Sequence, residues 1–211
     1  YKDIPSDVED ALLSIEDIRY YEHPGVDIKA IARAGYVLVK NKGEIKQGGS
    51  TITQQLVKLK FLTLEKSYER KLEEVIIAYN LEKKFNKTEI LEFYLNMINY
   101  GNGAYGIESA SQIYFSKSAK DLTLSQVAFL TGVPNNPTLY SPINNFDNAL
   151  KRRNLILSKM LEYGKITESE YSLAIKEEIV LDLTESKYEP DSYDVSFIIS
   201  SASKEIMKQN D

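Results

Sequence analysis

Apolar residues recur at helical spacing over most of this chain, and polar residues fill the positions between them. Val8, Ala11, Leu12, Ile15 and Ile18 form one such series. It predicts a first helix that Ser6 or Asp7 caps. That helix should end near His23-Pro24-Gly25, because the residue before a proline avoids the helical region. Residues 27–40 carry a second apolar series, and residues 66–85 a long third one. Asn86 and Glu89 make a capping box for a helix bearing Ile90, Leu91, Tyr94, Leu95 and Ile98. A glycine-rich turn at 101–106 precedes further helices near 107–114, 123–132 and 147–162, and Val133-Pro134-Asn135-Asn136-Pro137 interrupts the last two. Residues 41–46 read as a polar, mobile loop, and strand signals are weak and confined to the tail after about residue 178. The fold class is therefore mainly α, and 211 residues fit one large domain or two lobes.

The most informative stretch is Gln47 to Lys58, Gln-Gly-Gly-Ser-Thr-Ile-Thr-Gln-Gln-Leu-Val-Lys. Its glycines allow a tight bend, after which Ser50 or Thr51 can cap a helix. The N–H groups left over, at the positive end of the dipole, predict an anion site. Thr51, Gln55 and Lys58 fall on one helical face, and Ile52, Leu56 and Leu59 mark an apolar one. An ordinary capped surface helix would use the same residues. A Walker phosphate loop is excluded, since the Gly-Lys-Ser/Thr ending is missing.

Helical phase also separates two neighbouring acids. Glu73 shares a polar face with Glu69, Asn80 and Lys84, whereas Glu74 lies with Ala78, Leu81 and Phe85. A carboxylate on an apolar stripe is costly unless it is paired or used. Arg70, one turn earlier, is the expected partner, in either a structural ion pair or a tuned site. Glu16 and Asp17 come late in the first helix, ahead of Tyr20, Tyr21 and His23, and Glu16 follows Leu12 and Leu13 on its own face. Partial burial of Glu16 is expected; His23 reads first as a structural hydrogen-bonder. Two acids beside an anion-binding helix would suit glycosyl transfer around an oxocarbenium-like centre.

Composition removes several alternatives. A net charge of −5 argues against nucleic acid as the main partner. The chain has no cysteine and one histidine, so neither a thiol nucleophile nor a histidine-based metal site is available. No apolar run reaches the ~18–20 residues that span a bilayer. Gly101-Asn102-Gly103-Ala104-Tyr105-Gly106 spells the dinucleotide fingerprint, but a helix precedes it where a strand is required. No nucleotide cofactor is expected, and the turn is read as a close-packing device between two lobes.

Five ordered blocks closely resemble the peptidoglycan glycosyltransferases of family 51, found in class A penicillin-binding proteins and in monofunctional transglycosylases. They are Glu16-Asp17 through Tyr20 to His23-Pro24-Gly25-Val26; Gln47 to Lys58; Arg70-Lys71-Leu72-Glu73-Glu74; Ile90-Leu91-Glu92 through Leu95-Asn96 and Gly101 to Tyr114-Phe115; and Leu122-Thr123-Leu124 through Pro137 and Tyr140-Ser141-Pro142. The likeness spans about residues 4–170. Departures are Ile18, where a basic residue is frequent, Leu59 for asparagine, Asn99 for tyrosine, Gln126 for glutamate and Ser116 for glycine.

The resemblance implies a two-lobed, lysozyme-like fold with a small membrane-proximal jaw lobe within about residues 27–70. It implies a glycosyltransferase domain over 1–175, with 176–211 as a C-terminal extension. The implied activity is polymerisation of lipid II into β-1,4-linked glycan, with inversion and release of undecaprenyl diphosphate. Glu16 would be the general base. Glu74 would assist departure of the diphosphate, directly or as ligand to a divalent ion, Mg or Mn. Thr51, Gln55, Lys58 and Arg70 would hold that diphosphate, with Asp17, His23 and Ser50 also on the substrate side. The 41–46 loop would close over the lipid. Implied partners are lipid II, the growing glycan strand and the bacterial cytoplasmic membrane, with the domain on its extracytoplasmic face. Ser192-Tyr193 to Glu205-Ile206 resembles the lead toward a transpeptidase domain. A piece of a bifunctional protein, with its transmembrane anchor ahead of the first block, is therefore expected. The rival readings are a lysozyme-like glycan-cleaving enzyme and a non-catalytic module that binds lipid II or glycan.

Overall fold

The computed structural model describes residues 4–40, 49–61 and 68–183. The expected mobile loop at 41–46, Gln47 and Gly48, and the tail beyond residue 183 lie outside the described residues. The helices, in order, are α1 (Ser6–Glu16), α2 (Ile28–Lys40), α3 (Ile52–Phe61), α4 (Tyr68–Lys84), α5 (Lys87–Met97), α6 (Ile107–Phe115), α7 (Leu124–Thr131), α8 (Phe146–Glu162) and α9 (Glu168–Ala174). Among the described residues there is no strand, only an isolated bridge between Asn99 and Tyr105. The mainly α class expected from the apolar spacing is what these residues form.

Capping chemistry sets most of the boundaries. Asn86 accepts from the Glu89 N–H at 3.0 Å, and Glu89 accepts from the Asn86 N–H at 2.8 Å, so the expected box opens α5. Thr123 with Gln126 does the same for α7. Thr167 with Glu170 opens α9, a short helix that the apolar spacing alone does not predict. The first helix is shorter than expected and stops at Glu16, after which Tyr20–Glu22 forms a 3₁₀ turn. The reason is tertiary: the Asp17 carboxylate is bound to a backbone N–H on another helix, and its carbonyl accepts from the Tyr20 N–H at 3.0 Å.

The described residues divide into two compact units, one of residues 4–15 with 95–183 and one of residues 16–94. In the first unit α7 packs on α8, with Val127, Ala128 and Leu130 against Ile156, Leu157 and Met160, all fully buried. Phe129 links Phe115 and Phe146, its ring centroid 6.3 and 5.5 Å from theirs. Arg153, also buried, donates to Ser125 Oγ at 3.1 Å and to the carbonyls of Glu177 at 2.9 Å and Ile175 at 3.2 Å. It thereby ties the segment after α9 to the α7–α8 pair. The Gly101–Gly106 turn is closed by its own backbone and carries four residues at positive φ. A Cβ on Gly106 would sit 2.8 Å from the Asn96 carbonyl, which is why glycine is needed there. The contacts of these glycines, with Asn96, Tyr114 and Pro137, fall inside one unit.

In the second unit α3 packs on α4. Ile52, Leu56 and Val57 are buried while Leu59 is 46% exposed, so the apolar face of α3 runs through Val57 and leaves out the expected Leu59. α2 exposes Ile28, Ile31 and Tyr36. Among the described residues no helix is long and apolar enough to cross a membrane.

Candidate active site

The N-terminus of α3 organises the 16–94 unit. Thr51 is the cap: its Oγ accepts from the Gln54 N–H at 3.1 Å, and Gln54 Oε1 accepts from the Thr51 N–H at 3.1 Å. The Thr51 hydroxyl in turn donates to the Gly25 carbonyl at 2.6 Å. Gly25 stands at φ +88°, where a Cβ would lie 2.7 Å from the Ala78 carbonyl of α4. Only glycine lets the 23–26 turn approach α4 so closely.

Asp17 supplies the anion that this helix end attracts. Its carboxylate accepts from the Ile52 N–H at 3.0 Å and from His23 Nε2 at 3.0 and 3.1 Å, and it is 7% exposed. The expected open anion site is therefore corrected: at the first turn of α3, Ile52 and Gln54 donate to Asp17 and Thr51 of the chain itself. Thr51 is 1% exposed with its hydroxyl engaged on both sides, so the face it was expected to share carries Gln55 and Lys58 only. His23 is buried and turns Nε2 to the Asp17 carboxylate, an acceptor that calls for a donor there.

The two candidate acids are held from adjacent residues of α3. Gln55 donates through Nε2 to Glu16 Oε2 at 3.0 Å, and its Oε1 accepts from the Tyr94 hydroxyl at 2.9 Å. Gln54 donates through Nε2 to Glu74 Oε1 at 3.0 Å. The Thr51 N–H and the Tyr94 O–H thus decide which way each amide points. Glu74 is 3% exposed, while Glu73 is exposed, as helical phase required. Glu74 also pairs with Lys71, whose Nζ reaches Ser50 Oγ at 3.2 Å. Glu16 is half-buried; Lys58 is exposed one turn past Gln55, and Arg70 is half-buried in the first turn of α4.

Gln54, Lys71 and Tyr94 are the site residues that sequence reasoning missed. The Thr51–Gln54 box was visible as Thr-x-x-Gln; the pairing of Glu74 with Lys71 depends on how α4 lies against Ser50. Among the described residues no three of His, Cys, Asp or Glu gather, and Glu74 Oε1 already faces an ammonium and an amide.

Residues 1–161 match the transglycosylase family, and the chain belongs to it. It is 46% identical over 190 residues to penicillin-binding protein 4 of Bacillus subtilis, covering 89% of this chain and 30% of that one. It is 46% identical over 179 residues to penicillin-binding protein 1A of Pseudomonas aeruginosa, covering 85% of this chain and 22% of that protein. A crystal structure of penicillin-binding protein 1A from Haemophilus influenzae is similar over 75% of this chain and 19% of its own, with 30% identity and a TM-score of 0.45. The chain thus spans less than a third of the length of these relatives.

Proposed function

We propose that the chain polymerises lipid II into β-1,4-linked glycan. Glu16 takes the proton of the acceptor's 4-hydroxyl as that oxygen attacks the donor's anomeric carbon. The bond from that carbon to the diphosphate oxygen breaks, undecaprenyl diphosphate leaves with the electron pair, and the configuration inverts. Gln55, Lys58 and Arg70 hold the diphosphate, and Glu74 with Lys71 stands on the leaving side, where charge grows during bond breaking. Asp17, His23 and Thr51 act on the frame, setting where α3 begins. Glu74 would be the residue to hold a divalent ion, which when bound would neutralise charge on the departing diphosphate; no step here is routed through it.

The observation that carries this reading is the fastening of Glu16 and Glu74 to the adjacent amides of Gln55 and Gln54. One rigid helix then sets both acids, as a displacement with a base on one side and a leaving group on the other requires. We further propose that the working protein is longer, joined to a transpeptidase domain and anchored in the bacterial membrane with this domain on the extracytoplasmic face. The relatives' greater length and their penicillin-binding names support this extension.

The test is polymerisation of labelled lipid II in detergent by the chain and by Glu16→Gln. Polymer from the first and none from the second is expected. Polymer from both would remove Glu16 as base. Fragments released from preformed glycan, without polymer from lipid II, would replace the reading with glycan cleavage.

A further inference from the structure

Lys87 stands at the first position of α5, where the helix dipole disfavours a cation. What it touches explains its presence there. Its Nζ donates to the His23 carbonyl at 2.6 Å and pairs with Glu82 of α4, 2.7 Å from Oε2 and 2.8 Å from Oε1. It also lies 4.3 Å from the centroid of the Tyr20 ring, and the Tyr20 hydroxyl donates to the Lys87 carbonyl at 2.8 Å. Glu82 Oε1 accepts from the Thr53 hydroxyl of α3 at 2.6 Å. Tyr20 and Thr53 are fully buried and the Glu82 side chain is 7% exposed. One ammonium therefore clamps the 20–23 turn to α4, and the acid it neutralises clamps α4 to α3.

The consequence reaches the candidate base. The turn ends in His23, whose imidazole holds Asp17, and Asp17 caps α3 one residue after Glu16. Glu16 meets Gln55 on the same α3. We propose that Lys87 is a positioning residue for Glu16, acting through the His23 carbonyl and the Glu82–Thr53 link; its catalytic half rests on the polymerisation reading above. Lys87 lies outside the acid, amide and phosphate-holding groups of that reading, and it touches neither acid of the site.

The test uses the pair Lys87→Met with Glu82→Gln, because removing the lysine alone would strand a buried carboxylate. Methionine keeps the stem volume, and glutamine still accepts the Thr53 hydroxyl. His23 is the one histidine of the chain, so its imidazole N–H needs no assignment among others. In the double variant this proton should exchange with solvent at least about tenfold faster. The polymerisation kcat should fall by about tenfold or more, with KM for lipid II within about twofold. The melting temperature should stay within about 4 °C. Unchanged imidazole exchange would overturn the proposal. So would faster exchange with kcat intact, or a KM rise that accounts for the whole loss. A native chain that made no polymer would sink the proposed reaction instead, and the imidazole signal would still decide whether Lys87 sets the turn.

Discussion

Glu73 and Glu74 are neighbours in sequence and opposites in surroundings, one exposed and one 3% exposed against Gln54 and Lys71. A carboxylate held out of water by two donors is arranged for use or for structure, and activity separates the two. Glu74→Gln should lower the polymerisation rate by about 100-fold or more, in the range of a lost electrostatic group. Glu73→Gln should leave it within about threefold, since an exposed side chain on the polar face makes little difference. The reverse ranking in a lipid II assay would show that the wrong face of α4 had been assigned. Lys58 is exposed, so Lys58→Ala should keep the melting temperature while KM for the donor rises about tenfold, the loss of one charged contact. An unchanged KM would remove Lys58 from the diphosphate.

Each helix end is a small energetic problem, and α3 solves its own with Thr51, Gln54 and Asp17. Thr51→Ala removes a cap and leaves the buried Gly25 carbonyl without its donor, a cost of about 2 kcal/mol. For a chain of this length that should lower the melting temperature by roughly 4–8 °C, measured by calorimetry. At the other unit, Arg153 closes the C-terminal end of α9. Burial pulls its guanidinium below the usual arginine value, with Glu177 opposing that shift. Arg153→Met leaves the Ile175 and Glu177 carbonyls and the Ser125 hydroxyl without a donor, a loss of about 3 kcal/mol. Limited proteolysis should then cut within 175–183 first; resistance equal to the native chain would show that another contact holds that segment.

At the scale of the whole molecule, stability in acid should carry the mark of Asp27. Burial pushes its carboxyl up, but the Ala30 N–H at 2.8 Å and the Arg19 guanidinium outweigh that and hold it below the ordinary 3.8. A carboxylate lowered in the folded state adds stability above its unfolded value and loses it as pH falls through the folded one. Asp27→Asn should therefore lower the melting temperature at neutral pH, and the gap should close as pH drops below 3.8. A gap that stayed constant with pH would assign the loss to packing and not to charge.

Much of this was legible along the chain because it depends on neighbours in sequence. Apolar spacing placed the helices, the Asn86–Glu89 box opened α5, and helical phase alone put Glu74 inside and Glu73 outside. A helix ahead of the 101–106 turn, where a strand is required, was enough to set aside the dinucleotide fingerprint. Only tertiary structure decided the rest. It stopped α1 at Glu16, because a carboxylate 35 residues from Ile52 in sequence captures that N–H. It filled the α3 terminus with the chain's own anion, paired Glu74 with Lys71, and gave both acids to consecutive glutamines. Those choices lie outside sequence patterning for one physical reason. Helix periodicity acts over a few residues, whereas a buried donor takes whichever acceptor the packing of distant helices brings within 3 Å.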